Sequence, residues 1–70
     1  ILKNNLSSIF LDYNCYIWFF KNGKLHNNKN AAYIQDNKYK EFYLDDECYG
    51  FEHSFTKKSW RRFVKLQAFL

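Results

Sequence analysis

The sequence predicts an α+β protein: a small antiparallel aromatic β-sheet of two repeated hairpin units, about four or five short strands, with a C-terminal amphipathic basic helix packed on it. Three observations predict this. Asn22-Gly23 stands between aromatic and apolar runs, the strongest short hairpin signal a sequence can carry. The pattern returns 23 positions later, where FFKNGKLH (Phe19–His26) overlays FYLDDECY (Phe42–Tyr49), aromatic pair on aromatic pair and turn on turn. Finally, the segment from Thr56 to Leu70 holds no helix breaker and repeats its apolar residues at helical spacing.

Composition sets the limits. Seventy residues make one domain, and a chain this short buries only roughly 60% of the surface its unfolded form exposes, so a catalytic cleft is hard to fit. Rings compensate for length: 23% of the chain is aromatic, and each ring that goes inside buries about 150–250 Å². With no proline and only two glycines, the turns fall to Asn and Asp, which tolerate left-handed backbone better than other side chains.

Residues 1–13 place Leu2, Leu6, Ile9, Phe10 and Tyr13 at helical spacing, which predicts a short amphipathic helix or turn, although Ser and Asn form helix poorly. Residues 14–50 carry the hairpins. Cys15–Phe20 has strand composition and turns at Asn22-Gly23 into Lys24-Leu25-His26. Asn27–Asn30 is a polar loop, Ala31–Gln35 a short strand reversing at Asp36-Asn37, and Tyr39–Leu44 a third run that turns at Asp45-Asp46 into Glu47-Cys48-Tyr49. By the overlay, Asp46 stands where Gly23 does, so glycine is expected to be tolerated there. Cys48 takes the place of Leu25, which predicts a core position.

Residues 56–70 form the helix, with Thr56 as N-cap. Trp60, Phe63, Val64, Leu66 and Leu70 fall on one side of the wheel, and Lys58, Arg61, Arg62 and Lys65 on the other. The formal charge of +4 is +5 from residues 57–70 and −1 from the remainder. Four cations on one face are in the plain case a solvated surface that keeps an aromatic protein soluble. They also suit carboxylate or phosphate, and adjacent Arg61 and Arg62 favour planar, bidentate contacts.

The run aromatic, aromatic, x, Asn-Gly-Lys-Leu-His, followed by a small pair and a Lys-Glu-aromatic-Tyr run, resembles the degenerate MORN-like hairpin repeats of small phage and prophage proteins. The resemblance covers Trp18–Gly50. In that pattern the histidine is usually followed by Arg and the small residues read Gly-Pro-Ala; here Asn27 and Asn30-Ala31-Ala32 stand in those places. The resemblance implies binding rather than catalysis. Together with an Asn-, Lys- and Tyr-rich composition typical of AT-rich genomes, it implies a phage or mobile-element protein that inhibits a host defence (anti-CRISPR-like) complex.

Candidate binding residues are therefore Lys58, Arg61, Arg62 and Lys65, with Tyr39 and Tyr43 as exposed rings. The partner expected is a host protein or nucleoprotein complex with an acidic surface; the alternative is direct binding of nucleic acid. No enzyme activity, cofactor or metal is expected. The spacings of Cys15, His26, Cys48 and His53 contain no paired Cys knuckle, and Asp45-Asp46-Glu47 maps onto a turn. No apolar run approaches the roughly 20 residues of a membrane span, and Ile1–Leu11 makes a poor signal peptide, so a cytoplasmic location in the host cell with reduced thiols is expected.

Overall fold

A computed structural model describes residues 7–12 and 14–68. It has a six-stranded antiparallel sheet and one C-terminal helix: β1 (Ser7–Leu11), β2 (Tyr16–Lys21), β3 (Lys24–Leu25), β4 (Tyr33–Gln35), β5 (Tyr39–Leu44), β6 (Glu47–Phe51) and α1 (Lys57–Gln67). The sheet runs β1-β2-β4-β5-β6, and β3 pairs with β2 beside β4. Strand β2 thus serves two partners on one edge: its first half pairs with β4, and Phe20 and Lys21 pair with β3.

The three predicted turns form as their residues require. Asn22 and Gly23 have φ of 53° and 79°, Asp36 and Asn37 of 54° and 57°, Asp45 and Asp46 of 49° and 69°. Paired positive φ is the condition of the turn whose twist matches antiparallel strands, and Asn, Asp and Gly meet it at least cost. The repeat holds in register as well. Phe20 faces Leu25 and Lys21 faces Lys24; 23 residues on, Tyr43 faces Cys48 and Leu44 faces Glu47.

The units then dock on each other. The Leu25 N–H donates to Asp46 Oδ1 at 2.7 Å, and the Asp46 N–H donates to the Leu25 carbonyl at 2.9 Å. Glycine at position 46 would relieve the backbone but delete the first of these bonds, so the two turns are not interchangeable.

Beyond the shared register, the second unit departs by a β-bulge between Phe42 and Tyr43, which brings Phe42 opposite Gly50 rather than Tyr49. A strand alternates faces, and one extra residue resets the alternation. Tyr49 and Gly50 thus both fall on the helix side, Tyr49 5.5 Å from the Phe63 ring, and Phe51 is shifted to the other side against Tyr39. Gly50 is required by close approach: a Cβ there would lie 2.6 Å from Ser54 Cβ.

Further expectations are corrected. The helical spacing of the N-terminal segment is not realised at Ser7–Leu11, which is a strand paired along its whole length with β2, Phe10 lying on Trp18 with 5.2 Å between centroids. Pairing against an aromatic strand outweighs a weak helical pattern diluted by serines. Leu2, Leu6 and Tyr13 lie outside the described residues. Cys48 is exposed, not core, because the Leu25 and Cys48 position of the repeat points away from the helix; Cys15 and Cys48 are both free thiols.

The core forms between sheet and helix. Ala31, Ala32, Ile34, Phe42 and Trp60 are buried, and Ile17, Phe19, Leu44, Tyr49, Phe55, Phe63 and Val64 pack around this cluster. Trp60 has no exposed surface and touches the rings of Phe42, Phe55, Tyr49 and Phe63. Its indole N–H donates to the Asn27 carbonyl at 2.8 Å. The helix starts where predicted: Thr56 accepts from the Ser59 N–H at 3.0 Å and Ser59 Oγ accepts from the Thr56 N–H at 2.9 Å, a reciprocal capping box. Leu66, placed on the packing side by the wheel, is 58% exposed. It stands about 120° from Trp60 around the helix axis, at the edge of the apolar arc.

Trp60→Ala is expected to cost about 3–5 kcal/mol and Trp60→Phe about 1–3 kcal/mol, the second from an orphaned carbonyl more than from lost ring area. Denaturant melts would read both. At the second turn, Asp46→Asn should hold stability within about 0.5 kcal/mol, since it keeps the acceptor and tolerates positive φ. Asp46→Gly should lose about 0.5–1.5 kcal/mol with the bond to Leu25; a stabilised Asp46→Gly would mean the docking bond contributes nothing.

Candidate functional site

The sequence-derived site residues divide between two surfaces. Lys58, Arg61, Arg62 and Lys65 come together on α1, where with Lys57 they line a shallow depression that no carboxylate of the described residues lines. The spacing is that of one helix face, and the local fold is fixed by the Thr56 cap and by Trp60 on the opposite side. The first turn holds two lysines and no acid, so the positive end of the helix dipole adds to the cations instead of being neutralised.

Arg61 is tied to the polar loop. Its Nε donates to the Lys29 carbonyl at 3.1 Å. That bond fixes the guanidinium plane against the polar loop, and Asn28 and Lys29 extend the depression beside Arg61 and Lys65. Lys29 is a sixth cation, and like Lys57 it was missed by sequence reasoning. Nothing in the chain links it to a helix 32 residues on; the loop itself is shaped by Asn27, whose side chain accepts from the Lys29 N–H at 2.9 Å and donates to the Ala31 carbonyl at 3.0 Å.

Tyr39 and Tyr43 lie on the other side of the sheet. On β5 they alternate with Phe42, which faces the helix, so they share their side with Glu41. Tyr39 donates its hydroxyl to Glu41 Oε2 at 2.7 Å and Tyr43 donates to Oε1 at 3.0 Å. A single surface combining the cations with these rings is therefore not what the fold builds.

The side away from the helix carries a row of rings, one from each strand of the main path. Phe10, Trp18, Tyr33, Tyr39 and Phe51 follow one another across β1, β2, β4, β5 and β6 with centroids 5.2, 5.4, 6.2 and 6.4 Å apart. Tyr16 adds a sixth ring against Trp18 and Tyr33. Most of these contacts are tilted or edge-to-face, the geometry that ring quadrupoles favour. The row was accessible to sequence reasoning only in part: alternation within β2 and β5 places Trp18 and Tyr39, but Phe51 joins through the bulge.

The remaining polar candidates have structural partners. Nδ1 of His26 accepts from the Asp45 N–H at 3.1 Å, and His53 meets Glu52 at 2.9 Å. Among the described residues no group of His, Cys, Asp and Glu has the arrangement of a metal site.

The Tyr39 hydroxyl is pushed up to about 12 first by its bond to Glu41, and that of Tyr43 to about 12 first by burial and then by the same carboxylate. An unfolded chain would release these protons near 10.0. Their contribution to stability is therefore complete below about pH 10 and is lost as pH rises toward 12. Tyrosinate absorbance should show a late phase belonging to Tyr39 and Tyr43, and Glu41→Gln should move that phase to lower pH. An unmoved phase would mean that Glu41 does not hold the two hydroxyls.

Comparison with known proteins finds no matching family model, no matching curated protein and no matching solved structure.

Proposed function

We propose that the chain is a non-catalytic binding module whose cation face on α1 docks on an acidic surface of a host protein or nucleoprotein complex. The observation that carries this is the clustering of Lys58, Arg61, Arg62 and Lys65 in a depression that no carboxylate of the described residues lines, with Arg61 bonded to the Lys29 carbonyl. A pre-oriented guanidinium loses less side-chain freedom on meeting a carboxylate than a free one. The sense of an inhibitor of a host defence complex, acting in the host cytoplasm, is drawn from the resemblance to MORN-like phage proteins and from composition. No helix among the described residues is long and apolar enough to cross a membrane.

Direct nucleic-acid binding is the weaker alternative on geometric grounds. The rings that would stack bases stand on the far side of the sheet from the cations, grouped around Glu41. A polyanion tracking one surface would meet charge without stacking, and on the other stacking beside a carboxylate.

The two readings separate by experiment. With protein as the partner, naked duplex DNA should bind only weakly at about 150 mM salt, and Arg61→Glu with Arg62→Glu should abolish capture of one specific host protein that survives nuclease treatment. Sub-micromolar DNA or RNA binding, with a log–log salt slope of about −3 to −4 for four phosphate contacts, would overturn the protein-docking proposal.

A further inference from the structure

An antiparallel sheet covered on one side by a helix ordinarily presents polar residues on the other. Here that side presents rings. Phe10 and Phe51, at the two ends of the row, are 57% and 52% exposed, and Trp18, Tyr33 and Tyr39 between them are only partly covered by one another. A continuous aromatic surface across five strands exceeds what scattered surface residues explain, and surfaces of this kind mark an interface.

The chemistry of the face selects the occupant. Three of its tyrosine hydroxyls are already given to neighbours on the same face: Tyr33 donates to Gln35 at 3.2 Å, and Tyr39 and Tyr43 both donate to Glu41. The only charged side chain that the strands of the row place on this side is that of Glu41, whose two oxygens each hold a hydroxyl. A polyanion finds no cation on these described strands, and a saccharide finds most of the tyrosine hydroxyl protons already given away. What remains suited to the face is another flat, nearly neutral aromatic surface that needs no hydrogen bonds from its partner.

A second copy of this chain supplies such a surface. Face-to-face pairing would set the two α1 helices, each carrying the positive charge of residues 57–70, on opposite outer sides, whereas any pairing through the helices would oppose cation to cation. The size is adequate. The molecule is a slab of 36 × 29 × 17 Å, so its broad face offers at most about 1,000 Å², against about 800 Å² per partner in a standard stable interface.

We propose that two copies of the chain pack their ring rows together about a two-fold axis, forming a β-sandwich dimer with a basic helix on each outer side. Sheets packed in this way lie about 10 Å apart with interleaved side chains, which rings standing off the strands can provide. The surface proposed for docking on a host partner stays free on both copies, so the dimer would present it twice.

Sedimentation equilibrium of the full chain tests this. The expected result is a dimer mass with a dissociation constant in the micromolar range or tighter, weakened at least about 100-fold by Phe10→Lys with Phe51→Lys and unchanged by Arg61→Glu with Arg62→Glu. Since Phe10 and Phe51 are more than half exposed, the lysine variant is expected to keep its circular dichroism spectrum. A second measurement needs no ring substitution. Cys48 is exposed and shares this side of the sheet with Tyr43, so in a Cys15→Ser background a bulky maleimide should label it slowly at high protein concentration, and the labelled chain should be monomeric. A monomer mass at about 100 μM, or a dimer indifferent to both the lysines and the Cys48 label, would overturn the proposal.

Discussion

The indole N–H of Trp60, given to the carbonyl of Asn27 33 residues earlier, is the constraint on which the rest of the molecule depends. It is a hydrogen bond inside an apolar cluster, where leaving either group unpaired would cost far more than the bond contributes in net terms. The bond fixes the depth and rotation of α1, and through that the ring contacts with Phe42, Phe55 and Phe63. It also holds the loop that carries Lys29, so the core contact of Trp60 and the surface contact of Arg61 with the Lys29 carbonyl are two ends of one arrangement. A small chain with a thin sheet gains a shared core in this way.

The division into a charged side and an aromatic side follows from where the helix lands and from a single extra residue. Without the bulge after Phe42, Phe51 would point toward the helix and the ring row would stop at Tyr39. With it, Tyr49 stays against the core and Phe51 completes the outer row. The same insertion explains Gly50, since the segment that brings Ser54 and Phe55 back over the sheet leaves no room for a side chain there.

Much of this was legible in the chain because it is local chemistry. Asn-Gly, Asp-Asn and Asp-Asp must turn, Thr56 must cap, and a 23-residue echo in sequence became the same strand register twice. What escaped depends on partners far away in sequence. The N-terminal segment carries helical spacing, yet Phe10 finds Trp18 and a strand results. Cys48 matches Leu25 in the echo, but which side of the sheet that position faces is decided by where the helix packs. Of the candidate site, the four helix cations were legible from periodicity alone. Lys29 was not, because its place beside Arg61 is set by the asparagine-shaped loop.

The loop between the two hairpin units is the place that receives the helix. Asn27 offers its carbonyl to Trp60 while its side chain closes the loop onto Ala31. Ala31 and Ala32 have no exposed surface; the Ala32 N–H donates to the Glu41 carbonyl at 2.9 Å and its carbonyl accepts from the Phe19 N–H at 2.8 Å. Position 31 lies against the core in which Trp60 sits, and a small side chain there lets the large ring approach the sheet. The hairpins are thus the framework, and the residues at 27, 31 and 32 fit it to the C-terminal helix. That helix brings both the residue that closes the core and the cations that give the outer surface its charge.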